Sequence, residues 1–251
     1  MRILQITDLH IGGVQQDTFG IDVRKNFNTI LEKARDNAPD HIVITGDLCY
    51  ESGDMDIYDW IHRKLESVNI PYSIIAGNHD NSSMIADVFG LNNLLHKEGL
   101  YYRINIAGQK VLYLDTSKDV LPAEQVKWLE EEVSNGKDRL IIFMHHPPAN
   151  VGVPFMDQNY PLKNYSEVQK ILLDADREIH VLCGHYHIEK TVTIGKLNIH
   201  ITPSTFFQLD QQSASFKVDH HNIAYRELDW TASEFQTHVH YFKGHGLKKV
   251  I

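Results

Sequence analysis

Five short clusters of nitrogen- and oxygen-bearing side chains each follow an apolar run of strand length. Asp8-Leu9-His10 follows residues 3–6, Gly46-Asp47 follows 42–44, and Gly77-Asn78-His79-Asp80 follows 72–75. His145-His146 follows 140–143, and Gly184-His185-Tyr186-His187 follows 180–183. In an open α/β sheet, loops at the carboxyl ends of the strands converge on one crevice. Five such loops would carry aspartates, an asparagine and several histidines to one place. Hard oxygen donors mixed with imidazole suit two adjacent divalent cations better than a lone zinc. The reaction class this points to is hydrolysis of a phosphate ester.

The chain has 251 residues, within the range of an α/β enzyme, and 42% of them are hydrophobic, enough for a large core. No composition break, repeat or low-complexity stretch divides it, so a single domain over residues 1–251 is expected. Net charge is -9, from 24 basic and 33 acidic residues. A long nucleic-acid footprint usually carries a basic stripe, so nucleic acid is not an expected partner. A small anionic substrate is, because bound cations would reverse the sign inside a cleft. Cys49 and Cys183 lie in separate strand-end segments, which suggests buried thiols in a reducing compartment rather than a disulfide framework. The chain enters its first strand without a signal-peptide pattern, and no apolar run approaches the ~20 residues that span a bilayer. The expected setting is cytoplasmic, with no membrane partner.

Periodicity lays out the elements. Residues 2–7 and 41–45 read as strands. The helix between them, over 21–37, puts Val23, Phe27, Ile30, Leu31 and Ala34 on one face. A second helix spans 56–68, and short helices are expected at 82–89 and 91–96. Residues 101–106 and 110–114 flank Ala107-Gly108-Gln109, a hairpin signal. Pro122 suits the first turn of a helix over 123–134. Then come a strand over 140–144, a long loop over 147–163, a helix over 166–174 and a strand over 178–183. The last third reads as strands at 191–194, 197–202, 206–209, 223–229 and 235–240. An α/β half joined to a strand-rich half predicts two mixed sheets packed face to face, with helices on the outer faces.

Asp8, His10 and Asp47 could hold one cation, with His187 completing the set. Asn78, His145 and His185 could hold a second. Asp47 is the natural bridge, since a carboxylate has two oxygens to offer. Asp8 and His10, like His185 and His187, stand two residues apart, which on an extended segment puts both side chains on one face. Two cations about 3.5–4 Å apart acidify a bridging water and clamp a phosphate, so in-line attack of the hydroxide on phosphorus is expected. His79 need not be a ligand. Beside Asn78 it could donate a proton to the leaving group, with Asp80 orienting its ring. Asn78, His79 and His187 would then touch the substrate. Each cluster alone is weak, and their order and shared placement give the set its meaning.

This ordered set resembles the calcineurin-like metallophosphoesterase family, whose Asp-x-His, Gly-Asp, Gly-Asn-His-(Asp/Glu), His and Gly-His-x-His elements are all matched here. The resemblance covers about residues 2–240. It implies an α/β fold, a four-layer αββα sandwich of two mixed sheets flanked by helices. It also implies two divalent metal ions, manganese or iron first, with zinc or cobalt as alternatives. Carried over by position, Asp8, His10, Asp47 and His187 hold one ion; Asp47, Asn78, His145 and His185 hold the other; His79 is catalytic. Phe143-Met144-His145-His146-Pro147-Pro148 and Thr202-Pro203-Ser204-Thr205 look like the class III cyclic-nucleotide phosphodiesterase and glycerophosphodiesterase branch. In that branch the first histidine of the pair is the ligand, which leaves His146 to pack the loop. Phe206-Phe207-Gln208-Leu209 departs from the run common among the cyclic-AMP enzymes. The implied substrate is a small phosphodiester, with cyclic nucleotides such as cyclic AMP as first candidates. A glycerophosphodiesterase, a phosphomonoesterase and a lipid-precursor pyrophosphatase are the alternatives on the same scaffold. A metal-poor interaction scaffold should have lost ligands, and this chain has lost none.

Histidines outside the set, His41, His180 and His200 among them, are expected to be core or surface residues. Trp60, Trp128 and Trp230 are expected in core packing. The tail over 242–251, with Lys243, Lys248 and Lys249, should be a solvated end. Tyr50, Tyr160 and Phe207 are candidates to border the substrate. Strands at 206–209 and 223–228 could offer an edge to a second copy of the chain. The loops 115–121, 149–163 and 204–215 should shape specificity.

Overall fold

The computed structural model describes residues 1–231 and 234–246; Lys248 and Lys249 of the expected tail lie outside the described residues. The first half alternates β1 (Arg2–Ile6), α1 (Val23–Asp36), β2 (His41–Thr45), α2 (Met55–Val68) and β3 (Tyr72–Ile75). After α3 (Ser82–Val88) comes a small ladder of β4 (Leu95–His96) and β5 (Gly99–Leu100). The middle runs β6 (Tyr102–Ile106), β7 (Gln109–Tyr113), α4 (Ala123–Ser134), β8 (Leu140–Phe143), α5 (Pro154–Asn159), α6 (Tyr165–Asp174) and β9 (Ile179–Cys183). The last third runs β10 (Lys190–Ile194), β11 (Leu197–Ile201), β12 (Gln208–Leu209), β13 (Val218–His220), β14 (Asn222–Trp230) and β15 (Phe235–Lys243).

Two mixed sheets result. One has the order β15-β14-β1-β2-β3 and the other β10-β11-β9-β8-β7-β6, while β12 pairs with β13 in a short ladder. β1-β2-β3 and β7-β8-β9-β11 pair in parallel; antiparallel strands flank the second run on both sides and the first on one, which leaves β3 at a sheet edge. The parallel strands are buried throughout except at the first residues of β1, β3 and β7 and at Asn198 of β11, as expected when both faces of a sheet are covered. Helices α1 and α2 pack side by side, as do α4 and α6. In α1 the periodic residues Val23, Phe27, Ile30, Leu31 and Ala34 are all buried, and the Asp22 side chain caps its first turn.

Between the sheets lies a buried polar network. Gln5 Nε2 donates to Thr45 Oγ1 at 2.9 Å and to the Cys183 carbonyl at 3.1 Å. Its Oε1 accepts from Thr202 Oγ1 at 2.6 Å. Arg226, 3% exposed, donates to Thr202 Oγ1, the Ile201 carbonyl and Thr237 Oγ1 at 2.9, 2.9 and 3.0 Å. Burial lowers the Arg226 guanidinium to about 10.

The architecture is the expected αββα layering, and three local readings change. Residues 91–96 are not a helix: a single 3₁₀ turn at Asn92–Leu94 gives way to a strand, because the chain reverses at once to pair Leu95 with Leu100. The stretch 147–163 is not all loop. Pro154 opens α5 at the position where its missing N–H costs nothing, and the Asp157 carboxylate accepts the N–H groups of Val151, Gly152 and Val153. The strand expected over 206–209 shrinks to β12, because Gln208 turns its amide onto Ser204 and the Asn222 carbonyl. His41, His180 and His200 are buried, and Lys243 ends β15 in solvent.

Candidate metal centre and cleft

The donors come together where five loops leave the two sheets. Asp8 and His10 follow β1, Asp47 follows β2, Asn78 and His79 follow β3, His145 follows β8, and His185 and His187 follow β9. Three groups of donor atoms lie within 4.8 Å of one another: Asp8 with His10 and His187, Asp47 with His145 and His185, and His10 with Asp47 and His79. The first two match the division expected from sequence. The third brings His79 nearer to the donors than a purely substrate-facing residue would stand, with its Nε2 4.0 Å from Asp47 Oδ2. Asn78 lines the same cleft.

Neither i, i+2 pair is extended, contrary to the sequence reading. Asp8 (φ 54°), His10 (φ 45°), Asp47 (φ 49°), His185 (φ 67°) and His187 (φ 51°) all adopt the left-handed conformation. That region disfavours residues with a Cβ, although Asp and His tolerate it better than most. Strain of this kind persists where the surrounding structure over-determines it, and it clusters at functional sites. Here the left-handed turns aim both members of each pair inward while Leu9 and Tyr186 between them fill the core.

The glycines beside the donors have a packing cause. A Cβ on Gly184 would sit 2.0 Å from Thr7 Oγ1 and 2.6 Å from Asp8 Oδ2. A Cβ on Gly77 would sit 2.3 Å from Asp47 Oδ1. The loops can bring their donors to one point only if these positions carry no side chain. The Thr202-Pro203-Ser204-Thr205 segment braces the same point: Thr205 N–H bonds the Thr7 carbonyl at 3.2 Å, and its hydroxyl donates to the Asp8 carbonyl at 3.2 Å.

Donor spacing fits metal ions. With bonds near 2.1 Å, neighbouring ligand atoms in one coordination sphere stand roughly 3.0–3.4 Å apart. His10 Nε2 lies 3.1 Å from His187 Nε2, His187 Nε2 lies 3.4 Å from Asp8 Oδ1, and His145 Nε2 lies 3.3 Å from Asp47 Oδ2. His145 Nε2 nevertheless makes no hydrogen bond, and neither does Asn78 Oδ1 or His10 Nδ1, although all three atoms are buried. Four rings are held from behind by main-chain carbonyls: His145 Nδ1 by Thr45 at 2.8 Å, His185 Nε2 by Tyr160 at 3.0 Å, His187 Nδ1 by Phe207 at 3.1 Å and His79 Nδ1 by Glu51 at 3.1 Å. Each such bond orients the ring and turns its opposite nitrogen toward the site, the arrangement metal-binding histidines use.

Electrostatics agree. Burial works to raise the Asp8 and Asp47 carboxyls, yet the imidazoles of His187 and His145 hold Asp8 below its ordinary value and Asp47 well below it. Burial works to lower His145, but Asp47 and Asp8 raise it to about 9. His10 goes the other way, lowered to about 3 because burial outweighs the pull of Asp47. The two aspartates and His145 thus hold one another charged, while His10 stays neutral.

One residue takes a role that the sequence did not assign. Asp80 does not orient His79. Its carboxylate accepts from the N–H groups of Gly77, Leu48 and Cys49 and from the Tyr58 hydroxyl, and so ties the β2 and β3 loops together. Burial and the Asp47 charge push its carboxyl upward. His146 packs as expected. Its Nδ1 meets Thr116 Oγ1 at 2.8 Å, its Nε2 lies 3.3 Å from Asp119 Oδ1, and its ring lies 4.0 Å from that of His185. Burial lowers His146, while its bond to Asp119 works to raise it.

His10, Asp47, Asn78, His79, His185 and His187 line a cleft of about 560 Å³, while Asp8 and His145 are fully buried. Tyr50, Tyr160 and Phe207 line it, as do Phe19, Phe155 and Phe216, which sequence reasoning passed over. No lysine or arginine is among the described residues that line it. Cys49 and Cys183 are buried and unpaired, and none of the described helices is long and apolar enough to cross a membrane.

A protein from Fibrobacter succinogenes, called a probable cyclic nucleotide phosphodiesterase, is 33% identical over 241 residues, covering 96% of this chain and 94% of its own. One from Arcobacter nitrofigilis, called a probable glycerophosphodiester phosphodiesterase GpdQ, is 26% identical over 207 residues, or 78% of this chain and 76% of its own. The solved structure of a dimetal phosphatase from Danio rerio shares the fold with a TM-score of 0.67 at 12% identity, over 98% of this chain and 96% of that one. Residues 1–189 match the family described as calcineurin-like phosphoesterase. The chain belongs to this family and is a metal-dependent phosphoester hydrolase.

Proposed function

We propose that the chain is a binuclear-metal phosphodiesterase of small diesters, with 3',5'-cyclic nucleotides such as cyclic AMP as first candidates, working as one domain over residues 1–251. The observation that carries this reading is the set of converging donors, with Asn78 Oδ1 and His145 Nε2 buried and free of hydrogen bonds, beside a cleft whose described lining has no lysine or arginine. Asp8, His10, Asp47 and His187 would hold one divalent ion, and Asp47, Asn78, His145 and His185 the other, with manganese or iron preferred. When bound, such ions supply an activated water and neutralise charge on the phosphoryl oxygens.

The chain's own residues do the rest. The Glu51 carbonyl accepts from His79 Nδ1, which leaves Nε2 facing the cleft, where the imidazolium form would give its Nε2 proton to the leaving oxygen. Asn78 and His187 flank the phosphate. A diester brings one negative charge, which the metal floor can meet. A monoester or pyrophosphate brings more, and the described walls offer no lysine or arginine to receive it. This favours a diester over the phosphomonoesterase and pyrophosphatase readings. The relative named as a glycerophosphodiesterase supports a second reading within the diesters. The buried, unpaired thiols support a reducing, cytoplasmic setting.

The test is turnover by manganese-loaded protein of cyclic nucleotides, a glycerophosphodiester, and aryl mono- and diesters. Diesters should exceed monoesters at least about tenfold in kcat/KM, equivalent to ~1.4 kcal/mol of transition-state preference. Preference for monoesters, or undiminished turnover in metal-stripped Asp47→Ala protein, would overturn the proposal.

A further inference from the structure

One wall of the cleft is aromatic and comes from four separate stretches of chain. Phe19 lies between β1 and α1, Phe155 lies in α5 with Tyr160 just after it, Phe207 precedes β12, and Phe216 precedes β13. The rings form a continuous arc. Phe19 lies 5.8 Å from Phe207 and 6.4 Å from Phe216, Phe207 lies 5.9 Å from Phe216, and Phe155 lies 5.9 Å from Phe216 and 5.6 Å from Tyr160. The arc starts at the donors themselves, where the Phe207 ring is 5.2 Å from that of His187.

The outer rings of this arc are not core. Phe19 is 60% exposed, Tyr160 51% and Phe216 49%. Phe19 is also held at φ 56°, a conformation that a bulky residue rarely takes. Apolar rings left in water at the rim of a cleft are a binding feature rather than a packing one. They present π faces, which stack on a flat base and give little to a glycerol, while a choline would meet them by cation–π contact instead of stacking.

We propose that this arc holds the nucleobase of a cyclic nucleotide by stacking, with Phe19 and Phe216 as the rings that set selectivity. The inference rests on the phosphodiesterase reading above and adds the part of the substrate that lies beyond the phosphate.

The experiment uses full-length, manganese-loaded Phe19→Ala, Phe216→Ala and Phe19→Trp proteins. For each, kcat/KM is measured on cyclic AMP and on glycerophosphoethanolamine, which has no ring. Stacking of a base on an aromatic ring is worth a factor of roughly 5–100. The ratio of the two kcat/KM values should fall by about that factor in each alanine variant, mainly through KM for cyclic AMP, and Phe19→Trp should restore it. Metal content and thermal midpoint serve as folding controls. A ratio unchanged in both alanine variants, or not restored by tryptophan, overturns the inference. Wild-type protein that hydrolyses glycerophosphoethanolamine but not cyclic AMP overturns it too, and leaves the phosphodiesterase reading standing. Turnover of neither diester sinks both.

Discussion

Two buried polar regions lie close together in this protein and are built on opposite principles. Between the sheets, Gln5, Thr45, Thr202 and Arg226 satisfy one another and nearby carbonyls. At the loop ends, Asn78 Oδ1, His10 Nδ1 and His145 Nε2 are buried without a hydrogen bond. An unsatisfied buried polar group costs on the order of 1–3 kcal/mol, so a fold retains several in one place only when something outside the chain completes them. The first region specifies how the sheets dock. The second is complete only with ligands.

The largest effect that probes this contrast comes from Asn78→Ala. It should lower diester turnover about 10²–10³-fold yet change the unfolding free energy of metal-free protein by no more than ~1 kcal/mol, because its Oδ1 supports nothing in the chain. A stability loss as large as that of an inter-sheet variant would break the comparison. Arg226→Leu is that variant. It strips donors from Thr202, Ile201 and Thr237 and should cost about 2–4 kcal/mol in urea unfolding, with metal stoichiometry intact. Metal loss there would mean the two regions are one unit.

His200 tests the docked region with pH. Burial, then the Arg226 charge, lowers it to about 3, against 6.5 when unfolded. Its neutral form is therefore the folded one. Stability is full above about 6.5 and drains as pH falls toward 3, because the unfolded chain takes up the proton first. Metal-free wild type should lose about 2–3 kcal/mol more than His200→Gln between pH 7 and 4; equal losses would exonerate this histidine. The smallest effect is expected from Gly184→Ala, about 1–3 kcal/mol of overpacking against Thr7 and Asp8. Isothermal titration with manganese should show weakened binding as well, and normal affinity would show that the loops can yield.

Much of this was legible in the chain because it is periodic or clustered. The strand-helix alternation over the first half follows from side-chain spacing, and the donors stand in short, recognisable groups. What escaped depends on neighbours distant in sequence. Asp80 looked like a partner for His79, but its backbone partners Leu48 and Cys49 belong to another loop. Pro154 looked like loop punctuation and instead starts a helix. The inter-sheet network left no motif at all, since Gln5 and Arg226 are unremarkable until two sheets meet. Of the aromatic wall, Tyr50, Tyr160 and Phe207 could be nominated, while Phe19, Phe155 and Phe216 join only through tertiary folding.

The position of β1 has a consequence during synthesis. It is a central strand, yet Arg2 bonds Asp229, 227 residues further on. At about 5–20 residues per second, the ribosome needs roughly 10–45 s to deliver that partner. For that time one edge of an apolar strand has nothing to pair with. Asp8 and His10, at its end, wait for their own partners too, since His187 follows His10 by 177 residues and Thr205 follows Asp8 by 197.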